Sequence, residues 1–182
     1  METHNFKVGD VVVYGTRGKH TIISIENRTM GDQAMSFYKL EPVNYAVAKR
    51  VSTNSASILV PAATARKSGL RDNCSALEME KAIQLLNQKD ADVPDSILNI
   101  PANKLGTEIE KLCNEFGALG IAQSIQVLVT IQRRDAAMPK NLQALLDQLL
   151  KNLCREFADH RGETPSNEIE AELRKSLKLK LN

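Results

Sequence analysis

Cysteine and histidine side chains are the groups of this chain best suited to nucleophilic catalysis or to metal binding. The cysteines are odd in number and far apart in sequence: Cys74, Cys113 and Cys154. The histidines are equally scattered: His4, His20 and His160. Neither set contains a Cys-x-x-Cys pair or another zinc-ligand spacing. We therefore predict no metal site and no catalytic residue, and we expect the cysteines to be reduced thiols packed as small hydrophobic side chains.

The segment closest to a phosphate-binding loop is Gly15-Thr16-Arg17-Gly18. Loops that cradle phosphates end in Lys-Ser or Lys-Thr and open a helix, whereas this segment lies in a predicted hairpin. The carboxylates Glu168, Glu170 and Glu172 alternate around a predicted amphipathic helix, as is typical of a solvated face. The chain is thus predicted to need no cofactor and not to be an enzyme.

Charge is unevenly distributed along the chain. Residues 1–71 carry ten Lys and Arg against five Asp and Glu, a net of +5, whereas residues 72–182 carry fourteen against seventeen, a net of −3. A surface that binds duplex DNA usually shows clustered positive charge, because phosphate contacts supply much of its affinity. The second part of the chain has no such excess at the level of net charge.

The sequence carries no pattern that predicts export or membrane insertion. The first residues, Met1 to Asn5, lack the basic and then apolar pattern of a secretory signal. No apolar run approaches the length that crosses a bilayer. We therefore expect a cytoplasmic protein without membrane contact.

The elements that would position these side chains are strands first and helices afterwards, so the predicted fold class is α+β. The run Phe6-Lys7-Val8-Gly9-Asp10-Val11-Val12-Val13-Tyr14 is rich in β-branched residues and predicts a strand that enters a hairpin. The same criteria predict four more strands, over residues 20–26, 36–41, 44–51 and 57–60. Five short strands within residues 1–71 predict a small β-barrel.

The remaining residues, 72–182, predict an all-α domain of about five helices. Ser75-Ala76-Leu77-Glu78 matches a capping box and begins a helix that ends near Asn87. A polar, proline-broken loop over residues 89–95 follows. Apolar residues at helical spacing then predict further helices over 105–116, 121–133 and 139–157, and a last one from residue 164. Gly117 is predicted to end the helix over residues 105–116.

Several segments in this order resemble one known family. They are Phe6 to Tyr14, Gly18, Ile25-Glu26-Asn27-Arg28-Thr29, and Leu59-Val60-Pro61-Ala62 through Gly69-Leu70-Arg71-Asp72. A weaker likeness continues over residues 80–86, 109–112, 133–135 and 153–158. The chain is similar in these segments to the CarD family, bacterial transcription regulators that bind RNA polymerase, and the likeness covers nearly its whole length.

The resemblance implies a protein of two domains. The first would be a Tudor-like β-barrel, shared with transcription-repair coupling factor, that docks on the β subunit of bacterial RNA polymerase by pairing a strand edge with a polymerase sheet. The second would approach the minor groove of promoter DNA at the upstream edge of the transcription bubble and stabilise the open complex. We therefore expect a transcription regulator that modulates initiation.

The resemblance also implies which residues bind polymerase. Arg28 matches a family arginine that contacts polymerase, and Leu59 stands where a second contact arginine is usual. Lys39, on the third predicted strand, belongs to the same predicted polymerase-binding set. An arginine on a rigid sheet is a good anchor for an interface, although a lone arginine near a hairpin is often only a solvated charge.

The predicted DNA-binding set is Ile100, Lys104 and Lys111. In the family a tryptophan wedges into the minor groove, and this chain, which has no tryptophan, carries Ile100 at that position. Ile100 can be an aliphatic wedge or a buried loop residue, and the second role is favoured. Lys104 matches a family lysine that holds the DNA backbone. Acidic residues follow these lysines at helical spacing and could pair with them, which favours a solvated face.

Two functions therefore remain open from the sequence. The first is a regulator that binds both polymerase and promoter DNA. The second is a polymerase-binding or other protein-interaction adaptor without direct DNA contact, which the missing tryptophan and the net acidity of residues 72–182 favour. The sequence does not specify the oligomeric state.

Overall fold

The structure is a computed structural model that describes residues 6–30, 33–43, 57–88, 93–134, 138–162 and 167–177. The chain divides into two compact units, Met1–Asn73 and Cys74–Asn182. Every described strand lies in the first unit and every α-helix in the second. The predicted α+β class is therefore confirmed.

The first unit is built on one antiparallel sheet in the order β4-β3-β2-β1-β5. Its strands are β1 (Val11–Tyr14), β2 (Gly18–Met30), β3 (Gln33–Pro42), β4 (Ile58–Pro61) and β5 (Leu70–Arg71). Within the described residues β4 and β5, at the two ends, do not pair with each other. The predicted closed barrel is therefore wrong, because end strands of four and two residues offer too little backbone to close it.

The strands differ from the prediction in several places, and β2 and β3 extend beyond both ends of the predicted strands over 20–26 and 36–41. The first strand was expected from Phe6, but Lys7 N–H donates to Asp10 Oδ2 (2.7 Å) and Asp10 N–H donates to Lys7 O (3.1 Å), so a tight turn precedes β1. The two-residue strand β5 carries no periodicity and was not predicted. The strand predicted over residues 44–51 lies outside the described residues.

The core of the first unit lies on one face of its sheet. The residues buried there are Phe6, Val12, Ile22, Tyr38, Leu40, Val60, Ala65 and Leu70. A β-bulge between Ile22 and Ser24 shifts the pairing of β2 with β3 by one residue. Residues of β2 that follow the bulge are thereby turned to the opposite face from the one that simple alternation predicts.

The second unit contains five helices in the described residues. They are α1 (Ala76–Asn87), α2 (Asp95–Leu98), α3 (Ala102–Arg134), α4 (Lys140–Arg161) and α5 (Asn167–Ser176). The predicted capping box is confirmed, since Glu78 N–H donates to Ser75 Oγ (3.3 Å) and Ser75 N–H donates to Glu78 Oε2 (2.8 Å). The four-residue α2 was not predicted, because a single helical turn carries no periodic signal.

Helix α3 is broken at Gly117, where the backbone adopts φ 57° and ψ −127°. Positive φ is easily accessible only to glycine, so the predicted stop at this residue is confirmed. Cys113 Sγ and Ser124 Oγ, eleven residues apart, lie 3.7 Å from each other, whereas a continuous helix would separate such residues by about 16 Å. The arms of α3, residues 102–116 and 118–134, therefore fold against each other.

The core of the second unit is formed around α3. Length and composition alone would let α3 cross a membrane, contrary to the sequence prediction, but 67% of its most apolar stretch is buried inside the protein. Gln126, from the second arm, donates through Nε2 to Leu85 O (3.1 Å) and Leu86 O (3.0 Å). Leu85 O also accepts from Gln88 N–H (3.1 Å), so Gln126 adds a side-chain cap to the last carbonyls of α1. Phe116, the last of the apolar residues that predicted the helix over 105–116, is 49% exposed.

A buried arginine fixes α5 against α4. Arg174 Nη2 lies 2.8 Å from both Asp147 Oδ1 and Glu170 Oε1. Burial alone would lower the pKa of Arg174, but the hydrogen bonds to the two carboxylates overcome this effect and raise it. Because a buried guanidinium is stable only when it is paired, Arg174 specifies how α5 docks on α4.

We expect Gly120→Ala to destabilise the second unit by about 3 kcal/mol or more, because a Cβ at residue 120 would lie 2.0 Å from the backbone oxygen of Leu112. Gly106→Ala is the matched control. A Cβ at residue 106 meets no atom within 4 Å, so this change should stabilise α3 by about 0.5–1 kcal/mol. Urea unfolding followed by circular dichroism at 222 nm measures both. Equal effects of the two variants would contradict the close approach of the arms.

Candidate interaction surface

The three residues predicted to bind polymerase lie on one face of the sheet. Lys39 and Leu59 are direct neighbours across β3 and β4, and Arg28 is the neighbour of Met35 across β2 and β3. Since side chains alternate along a strand, Met35 and Lys39, four residues apart on β3, point to the same side. Arg28, Lys39 and Leu59 therefore share the face opposite the core of this unit.

Glu26 connects two of these residues. Arg28 donates to Glu26 Oε2 from Nη2 (2.7 Å) and from Nε (3.2 Å), and Lys39 Nζ lies 3.6 Å from Glu26 Oε1. The hydrogen bond from Arg28 and the charges of Arg28 and Lys39 lower the pKa of Glu26. Sequence reasoning did not single out Glu26. The i, i+2 spacing of Glu26 and Arg28 on a predicted strand is the signal that could have found it.

Beside this face lies the outer edge of β4, which pairs with no strand among the described residues. Proline has no amide hydrogen, so the pair of Phe37 with Pro61 is of the kind without direct hydrogen bonds. The two kinds of pair alternate along an antiparallel ladder. Leu59, two residues earlier on β4, is therefore in the same kind of pair, and its N–H and C=O point away from β3. In the part of the chain that the structure describes, no strand lies beyond β4.

The hairpin of β2 and β3 extends beyond its neighbours on both sides. β1 pairs with β2 only as far as Thr21, and β4 pairs with β3 only between Phe37 and Leu40. The far part of the hairpin, where Arg28 lies, therefore has no described strand on either side. We call Glu26, Arg28, Lys39 and Leu59, together with the outer edge of β4, the docking face.

Of the three predicted DNA-binding residues, Ile100 lies two residues before the start of α3, and Lys104 and Lys111 lie within it. Ile100 is half-buried and packs against the helical core, and its N–H donates to Ile97 O (3.1 Å). Lys104 is exposed in the first turn of α3. Lys111 is exposed one heptad later, and its Nζ lies 2.7 Å from Glu108 Oε1. The predicted ion pairing on this face is thus confirmed for Lys111.

Two of the cysteine and histidine side chains, Cys154 and His20, are buried in surroundings that suit a structural role. Burial raises the pKa of Cys154 to about 12, so this thiol does not ionise near neutral pH. His20 is buried in β2, where its Nδ1 lies 2.9 Å from Gly18 O and its ring packs edge-on against Tyr14. Across the described ranges no group of three His, Cys, Asp or Glu could hold a metal ion.

Comparison with family models and with curated proteins identified no relative of this chain. No family model matches the chain, and no curated protein matches it. The assignment of a function therefore depends on the residues themselves and on the geometry in which the structure places them.

The stability of the first unit should depend on the ionisation of His20. Burial, and secondarily the charge of Arg17, lower the pKa of His20 below its ordinary value of 6.5, although the hydrogen bond with Gly18 opposes this effect. As the pH falls below 6.5, the unfolded chain binds a proton at His20 before the folded chain does. The contribution of neutral His20 to the stability of the first unit is therefore fully present above pH 6.5 and decreases as the pH falls below it.

Urea unfolding at pH 7.5 and 5.5 measures this dependence. All three tyrosines of the chain lie in residues 1–73, and the chain has no tryptophan. Tyrosine fluorescence therefore reports the first unit alone. We expect His20→Asn to reduce the loss of stability between the two pH values. His160→Asn, at an exposed position near the end of α4, is the control and should retain the full loss. An unchanged loss in His20→Asn would contradict the assignment.

Proposed function

We propose that this chain is a CarD-like transcription regulator that docks on the β subunit of bacterial RNA polymerase through the docking face. One observation carries the proposal. Arg28, Lys39 and Leu59 were singled out from the sequence, Arg28 and Leu59 by the resemblance, and they occupy a single face of the sheet beside an edge of β4 that pairs with no described strand.

The chemistry of this surface fits recognition of another strand. The outward N–H and C=O groups of β4 can extend a neighbouring sheet, and such main-chain bonds supply affinity without depending on the partner's side chains. Arg28 and Lys39 then supply specificity, because their charges require acceptors at defined positions on the partner. Leu59 adds apolar contact where the family has an arginine.

We also propose that the first unit is Tudor-like, although its sheet is open. β1 to β4 follow one another as an antiparallel meander, and β5 returns to pair with β1 after a short 3₁₀ turn, Ala62–Thr64. A return of the last strand to the first is the connectivity that a small barrel requires. A regulator of this kind would act in the cytoplasm, without a cofactor and without catalysis.

The second part of the proposal concerns promoter DNA. Lys104 is exposed and makes no ion pair with any described residue, so it remains available to a phosphate. Ile100, in contrast, would have to leave the helical core before it could wedge into a minor groove. We therefore propose backbone contact by Lys104 without a wedge. The packing of Ile100 and the pairing of Lys111 favour the second candidate function, an adaptor that does not touch DNA.

Arg28→Ala should weaken binding of the full chain to purified polymerase β subunit by about 1–2 kcal/mol, the range of a moderate interface hot spot. Arg66→Ala is a matched control, because Arg66 lies in the same unit and its side chain is also 52% exposed. Isothermal titration calorimetry should show an unchanged affinity for the control. No binding by the wild-type chain would refute the proposed function, and equal affinities of both variants would remove Arg28 from the interface.

The two candidate functions differ in their effect on open promoter complexes. If Lys104 holds a phosphate, Lys104→Ala should shorten the lifetime of the open complex and reduce its salt dependence by about one counterion, with polymerase affinity unchanged. Lys81→Ala, at an exposed position on α1, is the control. We expect Lys111→Ala to have a smaller effect than Lys104→Ala, because Glu108 already pairs with Lys111. Equal lifetimes for all variants would establish the adaptor.

A further inference from the structure

The contact between Arg28 and Glu26 uses only one side of the guanidinium group. Nε and Nη2 of Arg28 both donate to the same oxygen, Glu26 Oε2, at 3.2 and 2.7 Å. A guanidinium has five N–H groups in a rigid plane, and its two Nη atoms form a second pair of parallel donors at the far end. No other described residue accepts a hydrogen bond from Arg28, so this end-on pair is available to a partner.

Lys39 approaches the other oxygen of the same carboxylate. Its Nζ lies 3.6 Å from Glu26 Oε1, on the strand next to Arg28. One carboxylate therefore holds two cations at fixed positions on the docking face. The three side chains are 52%, 34% and 30% exposed for Arg28, Lys39 and Glu26, so a docking partner can reach all of them.

We propose that Glu26 is a positioning residue for docking, which orders Arg28 and Lys39 so that their remaining donors meet an acidic side chain on the partner strand. This inference rests on the proposed function of the docking face. The partner group is a carboxylate, since the end-on pair of guanidinium donors matches the two oxygens of that group.

In an alternative role, Glu26 would weaken partner binding instead of strengthening it. A carboxylate on a cationic face also lowers the positive potential that attracts an acidic partner, so its removal could strengthen binding. At an exposed site this charge effect is screened by solvent and salt. A long side chain that becomes ordered only on binding, in contrast, loses conformational freedom, and this loss weakens binding by about twofold to tenfold for each such side chain. Positioning therefore outweighs repulsion.

The test compares Glu26→Gln with wild type in the full chain, by titration against purified polymerase β subunit. Glu26→Gln should weaken binding by about twofold to tenfold, although it makes the face more positive. Glu41→Gln is the matched control. It removes the same charge from the same face of the sheet, but Glu41 lies on β3 opposite Thr21 and not beside Arg28. It should leave binding unchanged or strengthen it slightly.

A double-mutant cycle separates positioning from loss of structure. In an Arg28→Ala background, Glu26→Gln should weaken binding by much less than in the wild-type background, because most of its effect acts through Arg28. Stronger binding by Glu26→Gln, or the same loss in both backgrounds, would overturn the inference while the proposed function remained. If the wild-type chain does not bind the β subunit at all, the proposed function itself fails.

Discussion

A strand edge without a partner exposes amide and carbonyl groups that can hydrogen-bond to another chain, and this constraint determines what the first unit can do. Natural sheets usually protect such edges with charges, prolines, bulges or a covering element. On β4, Ile58, Leu59 and Val60 are apolar and favour strand structure, and only Pro61 interrupts them. An edge of this kind can pair with a strand of another chain, and in the proposed function the side chains beside it select which one.

The charged side chains and the edge act in different ways. Main-chain pairing is nearly independent of the partner's sequence, so it supplies affinity with little selectivity. Arg28 and Lys39 require acceptors at matching positions, and a wrong partner would leave these charges unpaired. The second unit has its own core and its own constraints, among them the break at Gly117 and the buried Arg174. Its contribution to the function is therefore separable from docking.

Strong local signals predicted much of the fold. The Ser75 capping box, the stop at Gly117 and the leucine spacing of α4 each have a physical cause within a few residues, and the structure contains all three. The four-residue α2 and the two-residue β5 exist only because tertiary contacts hold them, so no local pattern could reveal them. Closure of the barrel failed as a prediction because it depends on the pairing of distant strands.

The candidate site was predicted in part. Arg28, Lys39 and Leu59 were predicted from the sequence, but their common face follows from the register of β2 to β4, which a sequence does not reveal when a bulge intervenes. Glu26 was missed because its importance lies in contacts with Arg28 and with Lys39 on the next strand. Ile100 shows a limit of resemblance as evidence. Its alignment with the family tryptophan does not establish whether its side chain is free to contact DNA, and the structure packs it against the helical core.

Hydrogen–deuterium exchange of the full chain, alone and bound to the polymerase β subunit, tests the central claim most directly. The N–H of Leu59 points away from β3 and has no described partner in the free chain, so this amide should exchange quickly, whereas the amides of Ile58 and Val60 are bonded to β3. Strand addition predicts strong protection of the Leu59 amide in the complex, with α3 and α4 unchanged. A complex that forms while the Leu59 amide continues to exchange at the free rate would contradict the account.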